Sequence, residues 1–314
     1  MGDKKPPLII IAGPTAVGKT SVSIEVAKNI NGEIISADSM QIYKYMDIGT
    51  AKISKTEMNG IEHYLIDEIY PDDSFSVSDF QSKATEYIAL IRDRGKLPIV
   101  VGGTGLYINS LVYDLDFTQA ISNWELRSKY IEKAKQYGNQ CIYEELKELD
   151  IESANRIHIN DTKRIIRALE IYHETGKPMS YFYKDFRKEN DKYNIIFIGL
   201  TMDRDKLYER INRRVDIMIE SGLIEEVKKL LNMGYSEDLV SMQGLGYKEI
   251  IQYLKGNYSL DESIEILKRD SRRYAKRQLT WFRRDKNIEW INIHDFDNSN
   301  KLIDCVVKNI KEKL

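Results

Sequence analysis

Residues 13–20 read Gly-Pro-Thr-Ala-Val-Gly-Lys-Thr, which fits the G-x-x-x-x-G-K-[ST] spacing of a phosphate-binding loop. In such a loop Gly13, Pro14, Thr15, Ala16, Val17 and Gly18 form a turn that points several backbone N–H groups toward an anion, Pro14 having none to give, with the positive end of the next helix behind them. Lys19 adds a mobile positive charge for the outer phosphate, and the Thr20 hydroxyl is a hard oxygen donor for Mg²⁺. The bland alternative is a chance match. Against it, an apolar β-branched run over residues 8–12 leads into the loop, and residues 21–30 follow with Val22, Val26 and Ile30 at helical spacing. The motif holds a diphosphate or a polyphosphate and leaves the reaction open.

Other residues could do chemistry beside it. Asp38, Ser39, Met40 and Gln41 close a second strand-like segment, residues 32–38. They fall at the carboxyl edge of a sheet, where open α/β folds bind ligands. Asp38 has two readings. It caps a turn or orients Mg²⁺, or it takes a proton from a nucleophile near the phosphates. Thr104 lies between Gly103 and Gly105. Its hydroxyl either closes a local turn or hydrogen-bonds a base edge or a leaving-group oxygen. Arg210 and Arg214 stand at i, i+4 on one helix face. With Glu209 and Asp216 nearby they form a solvated charged face, or they clamp a departing diphosphate.

Residues 268–286 hold nine Lys or Arg against two Asp, in a chain of net charge −2. On a helix Arg269, Arg273, Lys276 and Arg283 share a face, with Trp281 and Phe282 close by. A solvated face is the dull reading; the nearly pure sign favours nucleic acid. Lys163, Arg164 and Arg167 make a second basic cluster. Two separate patches predict a folded RNA gripped at two places.

The elements that must position these groups follow from periodicity. Strands are expected over residues 8–12, 32–38, 63–67, 97–102, 194–200 and 288–293, and a ligand-approaching loop over 103–107. Helices are expected over 79–94, 123–136, 142–149 and 162–174, with Asp161 as cap and Gly176 as stop for the last. Strands alternating with helices predict an α/β fold with a mostly parallel sheet. A change of texture near Tyr113 predicts a helical insertion, residues 114–192, inside a catalytic core of residues 1–113 and 193–314. At 314 residues, 42% hydrophobic and 31% charged, the chain has the composition of a soluble globular protein. No run reaches a membrane span, no secretion signal is apparent, and Pro6 argues against myristoylation at Gly2. The two cysteines, Cys141 and Cys305, make no zinc pair. A reduced cytoplasm is the expected setting.

Taken with Asp38-Ser-Met-Gln-Ile-Tyr, Met46-Asp-Ile-Gly-Thr-Ala-Lys, Val101-Gly-Gly-Thr-Gly-Leu-Tyr, Arg167-Ala-Leu-Glu, Thr175-Gly-Lys-Pro, Gly246-Tyr-Lys-Glu and Tyr274-Ala-Lys-Arg-Gln-Leu-Thr-Trp-Phe-Arg, the loop closely resembles that of the tRNA dimethylallyltransferases. The resemblance covers nearly the whole chain. It implies a core like that of the P-loop kinases and a helical insertion that grips the anticodon stem-loop. It implies transfer of a dimethylallyl group from dimethylallyl diphosphate to N6 of the adenosine 3′ of the anticodon (adenosine-37), in tRNAs reading codons that begin with U. Diphosphate is released. Carried over by position, residues 13–20 bind the diphosphate with Mg²⁺ at Thr20. Asp38 binds the adenine amine as general base, and Ser39, Met40 and Gln41 line the base pocket. Thr104, Arg127, Lys163, Arg164, Ile165, Ile166 and Arg167 meet the tRNA, and Arg214 holds the leaving diphosphate. The basic run adds Lys276 and Arg277 as tRNA contacts. With no C-terminal zinc finger apparent, a bacterial-type, monomeric enzyme without membrane attachment is expected.

Three other functions share parts of this pattern. A prenyltransferase of free AMP shares the loop and Asp38 but has no need of the basic run. A small-molecule kinase uses the arginines as a lid and Asp38 as base. An RNA-binding module uses the nucleotide site only as a switch.

Overall fold

The computed structural model describes residues 5–113, 115, 123–183, 188 and 190–314. The chain forms two compact units, Met1–Val112 with Asp191–Leu314, and Tyr113–Asn190. The expected boundary at residue 114 lies outside the described residues.

The first unit is built on a six-stranded parallel sheet. Its chain runs β1 (Pro7–Ala12), α1 (Lys19–Ile30), β2 (Gly32–Ala37), β3 (His63–Tyr64), α2 (Val77–Asp93), β4 (Leu97–Gly102) and α3 (Gly105–Val112). The second unit contributes α4 (Trp124–Tyr137), α5 (Asn139–Leu149), α6 (Ile151–Arg156), α7 (Thr162–Thr175) and α8 (Met179–Tyr183). The chain then returns as β5 (Asn194–Thr201), α9 (Arg204–Glu220), α10 (Leu223–Asn232), α11 (Tyr247–Leu254), α12 (Leu260–Phe282), β6 (Glu289–Asn292) and α13 (Ser299–Lys313). Strand order is β3-β2-β4-β1-β5-β6. Central β1 is apolar because both of its faces are covered; Leu8 to Ala12 are all fully buried.

Register decides where ligands meet the sheet. Ala12 pairs with Gly102 and Gly199, and Ala37 pairs with Gly102. The ends of β1, β2 and β4 are therefore level. The turns after them, carrying residues 13–18, Asp38 and Thr104, rise from one edge. Helices α1, α9, α12 and α13 cover the sheet through a shared apolar cluster that includes Val26, Ile211, Ala275 and Val306.

Two expectations need correction. The strand over 63–67 stops at Tyr64, because Leu65 and Asp67 take φ of +62° and +55° and leave the extended region. The loop over 103–107 ends early, because α3 begins at Gly105. Its apolar residues are buried nearly all round, so no stripe marks it as a helix. Among the described residues no helix is long and apolar enough to cross a membrane.

The second unit has its own core of Tyr130, Ile142, Leu146, Ile165, Ile166 and Leu169. Asp161 caps α7 by accepting from Arg164 N, and Gly176 ends it in the left-handed region.

Candidate active site

The site begins where β1 ends. Gly18 caps α1 at φ +100°, a conformation that side chains resist. Val17 is fully buried and anchors the loop from below. Lys19 Nζ donates to Gly13 O and Pro14 O, both at 2.9 Å. Burial pulls the Lys19 ammonium down to about 8; Asp38 opposes this shift and Arg214 adds to it. Arg214 is itself lowered by burial, against the pull of Asp38. Lys19, Arg214 and Asp38 thus lie close enough to influence one another in a partly desolvated space, where the two cations favour an anionic ligand.

Asp38 satisfies the first of its readings in part. Its Oδ1 accepts from Met40 N at 2.9 Å and Gln41 N at 3.4 Å, which fixes the turn after β2. Its Oδ2 makes no hydrogen bond among the described residues, so the second reading stays open to it. Thr104 makes no local turn. Its Oγ1 accepts from Ser39 N at 3.1 Å, and its own N–H donates to Ala37 O. The turns after β2 and β4 are therefore one unit. Gln41 is set by Ser36, which donates to its Oε1, and by Thr50 O and Ala51 O, which accept from its Nε2.

The opposite wall is residues 47–52. Glu226 of α10 accepts from the N–H groups of Asp47, Ile48 and Gly49 and from the Tyr247 hydroxyl. Tyr247 packs so close that a Cβ on Gly49 would lie 2.5 Å from its ring. Lys52 Nζ ties the wall to Tyr43 O, Asp47 and Asp67. The cleft these elements enclose measures about 1100 Å³ and is lined by Lys19, Thr20, Asp38, Gln41, Arg214 and Arg277 among others.

Of the α9 pair, Arg214 lines the cleft, while Arg210 is exposed beside the loop, with Nη1 3.9 Å from where a Cβ on Gly18 would stand. Helix α12 spends part of its positive charge internally. Lys268 pairs with Asp216 at 2.8 Å, Arg272 donates to Asn212, and Arg269 and Arg273 share Asp270. Lys276, Arg277 and Arg283 are exposed. The aromatic pair belongs to the interior: Phe282 is buried, and Trp281 packs over Gly105. Tyr274, also on this helix, lies beside Thr104 and Gln278, and burial together with Asp38 pushes its phenol up to about 12.

In the second unit Glu170 is fully buried. Arg127 Nε donates to it at 2.8 Å and Nη2 at 3.0 Å, and Arg167 donates to the same carboxylate. Burial alone would raise Glu170, but the two guanidinium groups hold it below the ordinary carboxylate range. Both arginines are therefore fixed by a carboxylate beneath them. Lys163 and Arg164 are exposed. Ile165 and Ile166, expected as RNA contacts, are 0% and 5% exposed. Their side chains build the core of this unit, because they fall on the apolar stripe of α7 and not on its basic face.

Gln278 and Tyr247 stand inside two of the motifs quoted above but carry no assigned role there, and Glu226 stands in none. Gln278 carried a signal: it is a polar residue on the buried face of α12, with Leu267, Ala275 and Phe282. Glu226 carried none, because its partners are backbone groups some 180 residues earlier.

The IPP transferase family profile matches residues 41–285. A tRNA dimethylallyltransferase from Acetivibrio thermocellus is 58% identical over 304 residues, covering 97% of this chain and 96% of that protein. Another, from Clostridioides difficile strain 630, is 56% identical over 311 residues and 99% of each chain. The full-length tRNA isopentenylpyrophosphate transferase of Bacillus halodurans superposes with a TM-score of 0.74 at 48% identity, covering 98% of this chain and 97% of that one. A eukaryotic dimethylallyltransferase acting on tRNA superposes with a TM-score of 0.82 at 31% identity, over 98% and 80% of the two chains.

Proposed function

From the premise that this chain belongs to the IPP transferase family, we propose that it is a tRNA dimethylallyltransferase. It moves the dimethylallyl group of dimethylallyl diphosphate to N6 of a tRNA adenine, the adenosine 3′ of the anticodon, in tRNAs that read codons beginning with U. The observation that carries the reading is the shared enclosure of Lys19, Arg214 and Asp38 at the level ends of β1, β2 and β4.

The chemistry runs as follows. The bond from the allylic carbon to the diphosphate oxygen breaks and its electron pair leaves with the diphosphate. The N6 lone pair forms the new C–N bond, and the N6 proton passes to Asp38 Oδ2. Charge builds on the leaving group while cationic character builds on the allylic carbon. The loop N–H groups, Lys19 and Arg214 neutralise the former, which is the largest demand of such a reaction. The adenine amine is a weak nucleophile, so alignment matters. Thr104, by accepting from Ser39 N, holds the Asp38 turn against the β4 turn and sets that alignment. The adenine leaves its stack at a cost of a few kcal/mol, offset by Lys276, Arg277 and, on the second unit, Lys163, Arg164, Arg167 and Arg127.

Mg²⁺ fits this donor set. Thr20 and Asp38 offer hard oxygens in the cleft, and among the described residues no group of three or more His, Cys, Asp or Glu could cage an ion. Thr20 would hold the ion, with Asp38 nearby to orient it; Mg²⁺ characteristically relies on few protein ligands and on substrate phosphates rather than on an all-protein cage. When bound it neutralises diphosphate charge. The cytoplasm, where tRNA is modified, is the setting of this reading, with a monomer as the working form.

The test is transfer of label from dimethylallyl diphosphate to tRNA, AMP or ATP. Label in tRNA alone supports the reading; label in AMP alone, or in none of them, refutes it.

A further inference from the structure

We propose that Gln278 is a positioning residue for the leaving diphosphate: its side-chain amide sets the plane of the Pro14–Thr15 peptide in the phosphate loop. Gln278 is 6% exposed. Its Oε1 accepts from Thr15 N at 2.9 Å, and its Nε2 donates to Gly103 O at 2.9 Å. One amide therefore joins the loop after β1 to the turn after β4. A carboxamide both accepts and donates at its tip without carrying charge.

The Pro14–Thr15 peptide is held at both ends. Its carbonyl, Pro14 O, accepts from Lys19 Nζ, and its N–H donates to Gln278. These grips differ in kind. Lys19 is the charge that a diphosphate recruits, and on recruitment it gives up Pro14 O. Gln278 borders the same cleft, but both of its polar ends are engaged by the protein, at Thr15 N and Gly103 O. In the liganded loop Pro14 O keeps only a long contact from Val17 N at 3.4 Å, and Gln278 is the shorter restraint, at 2.9 Å, on rotation of the peptide. It also turns Thr15 N away from the anion cradle, so the cradle is formed by the N–H groups that follow. The fit is tight on the other side too: a Cβ on Gly103 would lie 2.2 Å from Gln278 Nε2. That close approach requires glycine at 103 independently of any ligand.

This inference rests on the diphosphate reading above. Its test is steady-state kinetics on purified full-length protein with Mg²⁺, dimethylallyl diphosphate and tRNA, alongside tRNA binding without the allylic substrate. Gln278→Met removes both hydrogen bonds at similar volume, and Gly103→Ala displaces the amide while leaving Gln278 in the chain. For each, the KM for dimethylallyl diphosphate should rise by about fivefold or more, since one net hydrogen bond corresponds to roughly that factor. The dissociation constant for tRNA should stay within about twofold. If Gln278→Met does not fold, the isosteric Gln278→Glu serves. It keeps an acceptor for Thr15 N but sets a carboxylate oxygen against Gly103 O, and its KM should rise likewise. A merely structural role lowers kcat through loss of folded enzyme and leaves KM unchanged, and that result would overturn the proposal. Wild-type protein that does not use dimethylallyl diphosphate would instead remove the reading beneath it.

Discussion

The lowered Lys19 ammonium makes diphosphate affinity a function of pH. In the free cleft Lys19 gives up its proton near pH 8, against 10.5 for an ordinary lysine. A bound diphosphate adds anionic charge beside Lys19, whose proton Asp38 favours and Arg214 disfavours, so the bound state takes the proton back. Binding above pH 8 must then take up a proton, and affinity falls tenfold per pH unit until the bound-state value is reached. At about pH 7 roughly nine tenths of the free enzyme holds the proton; at about pH 9.5 roughly 3% does. The dissociation constant for dimethylallyl diphosphate should rise about 30-fold between them. The assay is calorimetry without tRNA, at fixed ionic strength, in buffers of different ionisation enthalpy, which also counts the protons taken up. Lys19→Arg should flatten the profile, because a guanidinium does not titrate there. Asp38→Asn removes the anion that raises Lys19, so its midpoint should move below pH 8. The same shift fixes a sign for stability. Between about pH 8 and 10.5 the unfolded chain binds the proton that the native chain has lost, so the Lys19 contribution to unfolding free energy increases through that window, by up to about 3 kcal/mol. Affinity that is flat or tightens from pH 7 to 9.5 would refute the enclosed-cation account.

Three further outcomes are expected. Asp38→Asn should slow single-turnover transfer by about 10²- to 10⁴-fold, the range for loss of a general base, with tRNA binding retained in a filter assay. Arg214→Gln should lower kcat/KM for dimethylallyl diphosphate by about 10²-fold or more, read in the labelled-transfer assay; unchanged kinetics would return Arg214 to a structural role. Glu170→Gln leaves Arg127 and Arg167 on a neutral partner and should destabilise the second unit by about 3 kcal/mol, seen as a lower midpoint in thermal unfolding.

What could be read from the chain depended on whether the determining contacts are local. The phosphate loop declares itself because eight consecutive residues specify turn, helix cap and charge together, and the flanking strand and helix must agree with it. Asp38 was legible as the polar end of an apolar strand. Its capping bonds to Met40 and Gln41 were foreseeable, because Asp habitually accepts from the N–H groups two and three residues on. The wall at residues 47–52 was not legible, since its shape is set by Glu226 and Tyr247, far along the chain. Helix α3 was missed because a helix buried all round shows no periodicity. The side chains of Ile165 and Ile166 were misassigned because a motif names a stretch, while a helix sends successive side chains to different faces. The excess charge of α12 was visible; the intramolecular share, such as Lys268 on Asp216, required the α9 contact.

The central claim is that a phosphate loop here pulls an intact diphosphate away from an allylic carbon. It is tested most directly by incubating the purified chain with Mg²⁺, dimethylallyl diphosphate and unmodified tRNA, then identifying both products by mass spectrometry. The expected products are a tRNA adenosine heavier by C₅H₈, located 3′ of the anticodon, and one inorganic diphosphate for each adenosine modified. Release of orthophosphate, or a phosphorylated nucleoside with no gain of C₅H₈, would contradict the claim.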